Sequence, residues 1–129
     1  MAVEAQFLVD TNICIYILDA EIPELRQRIE RVPAGALVTS TIVAAELYAG
    51  IDLNSAFETA RMAALLDAIP ALPFGADAAL IYGRLPFKRG RFDRLVAAHA
   101  LCLNLTVITA NLTDFADIPG LRVEDWTAA

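Results

Sequence analysis

The chain has 129 residues, a length that suits one domain, spanning 1–129, with a real hydrophobic core. Its formal net charge is −6, which argues against non-specific nucleic-acid binding by the whole surface but not against local contacts. Because 57% of the residues are hydrophobic, we expect a partner subunit or another protein to cover part of the apolar surface.

The longest uncharged stretch, residues 95–113, holds His99 and several Asn and Thr residues, so we expect no membrane span. The first four residues lack the basic start and apolar core of a secretory signal. Cys14 and Cys102 are the only two cysteines, and we expect both to be reduced core residues. These features predict a cytoplasmic protein.

The first half of the chain alternates between apolar strands and helical segments. In chain order we predict a strand at 7–9, helices at 12–18 and 22–31, a strand at 36–39, and helices at 42–49 and 54–69. Pro23 suits a first helical turn, and Ser40 or Thr41 can cap the third helix. Gly50 and Pro70 mark helix ends.

The second half continues the alternation. We predict at most a short edge strand at 71–73, a helix at 75–85, a basic loop at 86–91, a helix at 94–103 capped by Asp93, a strand at 105–109, a polar turn at 111–115 and a strand at 121–124. The helix at 94–103 is apolar nearly all round and should be buried. Strands alternating with helices predict an α/β fold of three layers, α/β/α, with a mainly parallel central sheet.

Four acidic residues stand out from this pattern. Asp10 follows the first strand, and Glu46 is the one charge on an otherwise apolar helix. Asp93 opens an apolar helix, and Asp114 follows the strand at 105–109 by one turn. Taken singly, each has an ordinary explanation as a helix cap or surface residue. In a parallel sheet, however, strand ends and the starts of the next helices share one edge, so the four side chains can converge.

Clustered carboxylates repel one another and need a cation. Hard oxygen ligands with open positions suit Mg²⁺ or Mn²⁺. With His99 as the only histidine, neither a zinc cluster nor a Ser-His-Asp triad is supported, and His99 itself reads best as a hydrogen-bonded core residue. Carboxylate-held Mg²⁺ readily promotes attack of water on a phosphodiester.

Short polar residues and a basic cluster accompany the acids. Candidates for orienting the carboxylates or metal-bound waters are Thr11, Ser40, Thr109 and Asn111. Capping or strand propensity explains each of them equally well. The basic residues Lys88, Arg89, Arg91 and Arg94 border Asp93. They fit a solvated loop, an RNA-contacting rim that steers phosphates, or a site for an acidic partner segment.

Five segments taken in order carry a family resemblance. They are LVDTN at 8–12, TIVAAELYAG at 41–50, FDRLVAAHAL at 92–101, VITANLTDF at 107–115 and PGLRVEDW at 119–126. Each segment alone is a weak signal, but the ordered set resembles the PIN-domain ribonucleases, most closely the VapC-type toxins of type II toxin–antitoxin pairs.

The resemblance implies a Mg²⁺- or Mn²⁺-dependent endoribonuclease that forms a homodimer and is inhibited by a VapB-like antitoxin in a heterotetramer or larger assembly. It maps the catalytic and metal-binding acids onto Asp10, Glu46 and Asp93. Its fourth position falls on Asn111, which carries no charge, so two alternatives stay open: Asp114 supplies the charge, or the site uses three carboxylates.

Two other functions fit the same residues. One is a catalytically weak PIN-like module that acts by binding a protein partner. The other is a phosphatase built on Asp10, which Asn12 disfavours because such enzymes use a second aspartate there. For the toxin, we expect the antitoxin to cover residues 22–31 and 42–49 and to insert a basic side chain among the acids.

Overall fold

A computed structural model describes residues 3–86 and 91–128, without the side chain of Arg91. Within these residues a single sheet has five short strands, namely β1 (Phe7–Val9), β2 (Leu37–Ser40), β3 (Ala71–Leu72), β4 (Thr106–Ile108) and β5 (Val123–Glu124). All neighbours are parallel, in the order β3-β2-β1-β4-β5. The predicted parallel α/β fold is therefore confirmed.

The central strand β1 is covered on both faces. Leu8 and Val9 are consecutive, so their side chains point to opposite faces of the sheet, and both are fully buried. Leu8 pairs with Val38 on one side and with Val107 on the other. This double burial gives the three layers, and it explains why the strands read as continuous apolar runs.

Six helices cover the sheet in the described part of the chain: α1 (Thr11–Asp19), α2 (Pro23–Glu30), α3 (Thr41–Ala49), α4 (Ala56–Ala68), α5 (Ala76–Arg84) and α6 (Arg91–Leu103). Helix α6 packs against α5 and α3, and α1 packs against α3 and α4. None of these helices is long and apolar enough to cross a membrane.

Local sequence fixes the starts of the helices nearest the strand ends. Asp10 caps α1 by accepting a 3.0 Å bond from the amide of Ile13. Ser40 caps α3 through the amide of Ile42, also at 3.0 Å. Asp10 directly follows β1 and Ser40 is the last residue of β2, so α1 and α3 begin at the carboxyl edge of the sheet.

The start of α6 differs from the prediction. The helix begins at Arg91, so Asp93 lies inside its first turn and does not cap it. Part of the predicted basic loop is therefore helical, while residues 87–90 lie outside the described chain. The shift matters because a residue within the first turn projects from the helix side, where other elements can approach it.

Candidate active site

Asp10 is held at the end of β1 and is almost completely buried, with 7% of its surface exposed. Burial raises the pKa of its carboxyl group, while hydrogen bonds from Thr109 and the Ile13 amide oppose that rise. The charges of Glu46 and Asp114 raise the pKa further. Asp10 is therefore a buried acid whose neighbours are other acids.

Glu46 reaches this edge from the second turn of α3. Its Oε1 accepts a 2.7 Å hydrogen bond from the hydroxyl of Thr11, which is the first residue of α1. Glu46 is partly buried, and among the described residues it is the only charge on α3. The Thr11 contact thus orients the carboxylate toward Asp10, the residue that precedes Thr11.

The pKa of Asp93 is affected by all three of the other acids. Burial, together with the charges of Asp114, Asp10 and Glu46, raises the pKa of Asp93 to about 6. The adjacent guanidinium of Arg94 opposes this rise. Because Coulomb interactions between charges weaken with distance and screening, these effects indicate that Asp114, Asp10 and Glu46 lie near Asp93. The convergence of all four carboxylates on one cation site stays a prediction.

The fourth position involves a 3-10 turn at Leu112–Asp114. Asp114 is exposed and lies close enough to affect the pKa of both Asp10 and Asp93. The side chain of Asn111 instead accepts a 2.7 Å bond from Thr113 within its own turn. Of the two candidates for the fourth position, Asp114 is thus the one that brings charge to the cluster.

Two of the four predicted orienting residues contact an acid. Thr11 bonds Glu46, and Thr109 bonds Asp10 while also accepting a 3.1 Å bond from the backbone amide of Asn111. The hydroxyl of Ser40 meets Nδ1 of His99 at 2.8 Å, which differs from the expected contact with a carboxylate. Ser40 links α3 to α6 in the interior.

His99 is buried on α6, as expected for a core histidine. Burial lowers its pKa, and a bond to the backbone of Pro73 opposes that effect. Its ring also meets the edge of Phe74, with 5.5 Å between ring centroids. The imidazole is therefore a structural link between buried groups.

Only part of the basic cluster lies within the described residues. Lys88 and Arg89 lie outside the described residues, as does the side chain of Arg91. Arg94 is 5% exposed, and its Nη2 donates a 2.7 Å bond to Oδ2 of Asp117. The expectation that Arg94 belongs to an exposed RNA-contacting rim is wrong, because its guanidinium is inside the protein.

Asp117 was missed by the sequence analysis. The chain offers one signal for it, namely its position three residues after Asp114 in a segment with few other charges. That spacing alone does not identify a partner for Asp117, because the 3-10 turn ends at Asp114 and Asp117 lies outside it.

The chemistry of the donors suits a hard cation. In residues 3–86 and 91–128, no three His, Cys, Asp or Glu side chains are arranged to hold an ion by themselves. Mg²⁺ usually keeps several waters and takes one or two carboxylates, so two acids with waters fit it. Zinc fits poorly, because a cysteine binds a metal as the thiolate and the Cys14 thiol resists deprotonation. Burial and the charge of Asp10 raise the pKa of this thiol to about 12.

A model of the PIN domain matches residues 7–121, a range that contains all four acids. The chain belongs to the PIN-domain family. Among its relatives, the tRNA(fMet)-specific endonuclease VapC of Salmonella typhimurium is 29% identical over 94% of this chain and 98% of the relative. Ribonuclease VapC1 of Haemophilus influenzae is 32% identical, with 94% and 98% covered.

Solved structures agree with this membership. VapBC2 from Rickettsia felis, bound to a promoter DNA fragment, superposes with a TM-score of 0.83 at 27% identity, over 93% of this PIN chain and 98% of the other. VapBC-1 from nontypeable Haemophilus influenzae gives 0.82 at 30% identity, over 95% and 98%. The resemblance to VapC proteins noted in the sequence is confirmed.

Proposed function

We propose that this PIN-domain protein is a VapC-type endoribonuclease, the toxin of a type II toxin–antitoxin pair, which hydrolyses RNA with Mg²⁺ or Mn²⁺. One observation carries the proposal: the charges of Glu46 and Asp114 raise the pKa of both Asp10 and Asp93, so these acids lie near one another. The names of the VapC relatives, which are ribonucleases or endonucleases, support the RNA substrate.

Asp10 and Asp93 are the main proposed metal ligands, with Glu46 and Asp114 completing the pocket, partly through water. When bound, the cation supplies a water of lowered pKa for attack on the phosphodiester and stabilises charge on the phosphate. Thr11 holds Glu46, and Thr109 together with the Ile13 amide holds Asp10. These bonds keep the carboxylates pointed at one place before substrate arrives.

RNA requires positive charge near this acidic pocket. Lys88, Arg89 and Arg91 remain the predicted contacts to the phosphate backbone, because they immediately precede Asp93 in the chain. Such local contacts reconcile a net charge of −6 with a polyanionic substrate.

We also propose a VapB-like antitoxin as partner, and a homodimer that joins it in a heterotetramer or larger assembly. An open groove of about 520 Å³ lies between α1 and α2, with apolar residues such as Ile17, Leu25 and Ile29 in its lining. Arg26 and Glu30 also line the groove. This groove overlaps residues 22–31, which were expected to be covered, and the related solved structures are VapBC assemblies.

The test uses purified protein, end-labelled RNA and either Mg²⁺ or EDTA. Wild type should cleave RNA internally with Mg²⁺ and fail with EDTA, and Asp10→Asn should stay folded but inactive. Asp19→Asn is the matched control, because it makes the same change at the far end of α1 on an exposed side chain. Cleavage by Asp10→Asn at the wild-type rate would refute the assignment.

A phosphate-monoester substrate in the same assay separates the remaining alternatives. Hydrolysis of the monoester without RNA cleavage would favour a phosphatase. Inactivity on both substrates, combined with tight binding to the antitoxin, would favour the interaction module.

A further inference from the structure

Arg94 is a buried cation beside the acidic site. It directly follows Asp93 on α6, and 6% of its side chain is exposed. Its Nη2 donates to Oδ2 of Asp117 over 2.7 Å, and 41% of the Asp117 side chain is exposed. Taking a guanidinium out of water costs free energy, so its burial needs compensation from well-placed acceptors.

Asp117 belongs to the segment that presents Asp114. This segment runs from the 3-10 turn toward β5 and is pinned to the core by Phe115 and Ile118, which are both buried. Its own backbone bonds are short-range: the Phe115 amide donates to Leu112, and the Ile118 amide donates to Phe115, both over 3.2 Å. The Arg94–Asp117 pair therefore adds a long-range polar connection between this segment and α6.

The Arg94–Asp117 pair connects the two chain segments that contain the site acids Asp93 and Asp114. Asp93 precedes Arg94 on α6, and Asp114 lies three residues before Asp117. A guanidinium has a planar, rigid fork of donors, so its bond fixes direction as well as distance. The connection is therefore one of the contacts that hold the segment of Asp114 against the helix of Asp93.

Resting on the proposed ribonuclease function, we propose that Arg94 and Asp117 are positioning residues that fix Asp114 relative to Asp93 for metal binding. Arg94 acts inside the protein, through Asp117, and not on the RNA. This role differs from that of the neighbouring predicted phosphate contacts, which must be exposed to work.

The test is Asp117→Asn, which removes the partner charge at an accessible position and keeps the side-chain size. We expect kcat for RNA to fall about 10- to 100-fold and Mn²⁺ affinity to weaken by a similar factor. KM for RNA should stay within about twofold, and Asp117→Glu should recover most of kcat because it keeps the charge. Asp19→Asn is the matched control, since Asp19 pairs with Arg61 and is 42% exposed.

Several results would overturn the proposal. Wild-type kcat and Mn²⁺ affinity in Asp117→Asn would mean that the pair is merely structural. A raised KM with unchanged kcat and a weaker salt dependence would mean that the pair serves RNA binding.

A third readout keeps this test separate from that of the proposed function. If wild type binds Mn²⁺ without cleaving RNA, the ribonuclease assignment fails while the Mn²⁺ affinities still test the pair. If wild type does neither, amide hydrogen exchange decides. Faster exchange at residues 112–118 in Asp117→Asn than in Asp19→Asn supports the connection, and equal exchange in both overturns it.

Discussion

The hydroxyl of Thr11 donates a 2.7 Å hydrogen bond to Oε1 of Glu46, joining the first residue of α1 to the second turn of α3. Thr11 also follows Asp10 directly, so one residue links two acids that lie 36 positions apart in the chain. Without this bond, Glu46 would be free to turn toward solvent, away from the other carboxylates. The geometry of the cluster therefore rests on an uncharged residue as well as on the acids.

The first prediction concerns this bond. Thr11→Val keeps the shape of the side chain and removes the donor, so Glu46 loses its orientation. We expect RNA cleavage to fall about tenfold or more. The free energy of unfolding should change by only about 1 kcal/mol, because the bond is partly exposed to solvent. Thr59→Val in α4 is the control and should cleave at the wild-type rate, because the hydroxyl of half-buried Thr59 donates only to backbone carbonyls of Ser55 and Ala56.

The second prediction is that a divalent cation stabilises the protein. Binding to the folded state alone, at a concentration ten times Kd, adds about 1.4 kcal/mol, which raises Tm by several degrees. Calorimetry with Mg²⁺ or EDTA measures the shift. Asp10→Asn should show little shift, whereas Asp19→Asn should match wild type. Equal shifts in Asp10→Asn and wild type would place the cation elsewhere.

The third prediction concerns the charge of Asp93. Its pKa is raised from 3.8 to about 6, so the folded state binds a proton more tightly than the unfolded chain does. Stability therefore rises as pH falls from about 6 toward 3.8, and ionised Asp93 destabilises the metal-free protein above about pH 6. Asp93→Asn should raise stability above that pH by roughly 1–2 kcal/mol, after allowance for solvent screening.

Urea unfolding in EDTA at pH 7.5 and pH 4 measures this difference. The advantage of Asp93→Asn should disappear at pH 4, since wild-type Asp93 is then largely protonated in the folded state. A stability loss in Asp93→Asn at pH 7.5 would contradict the repulsive cluster.

The fourth prediction concerns His99, whose pKa is lowered by burial. Below pH 6.5 the unfolded chain binds a proton that the folded chain resists, so this residue lowers stability as pH falls through that range. In His99→Gln, this contribution should be absent. Because His99 is the only histidine, one imidazole resonance in NMR spectra reports its titration directly. A midpoint above 6.5 would contradict the buried, neutral ring.

Hydrophobic patterning was sufficient to predict the parallel sheet, and it also singled out two of the acids. A strand that is buried on both faces reads as an uninterrupted apolar run, so Asp10 stood out as the residue where the run stops. Glu46 stood out for a related reason, because a lone charge on an apolar helix needs a partner or water. The predicted parallel topology then led us to expect these residues at one edge of the sheet.

Contacts between side chains that are distant in the chain could not be predicted from the sequence. The burial of Arg94 depends on Asp117, which reaches it from beyond a 3-10 turn and a strand. Ser40 was expected beside the acids, but its hydroxyl faces His99 because α6 crosses close to the start of α3. Likewise, Asp93 looked like a cap because the basic residues before it do not reveal that the helix already starts at Arg91.

The central claim is that Asp10, Glu46, Asp93 and Asp114 form one cation site. Anomalous diffraction from crystals grown with Mn²⁺ tests it most directly, with Asp10→Asn crystals as the control. We predict a manganese peak at ligand distance from Asp10 and Asp93 in wild type, and its loss in the variant. A peak bound to other residues, or no peak among these carboxylates at saturating Mn²⁺, would contradict the account.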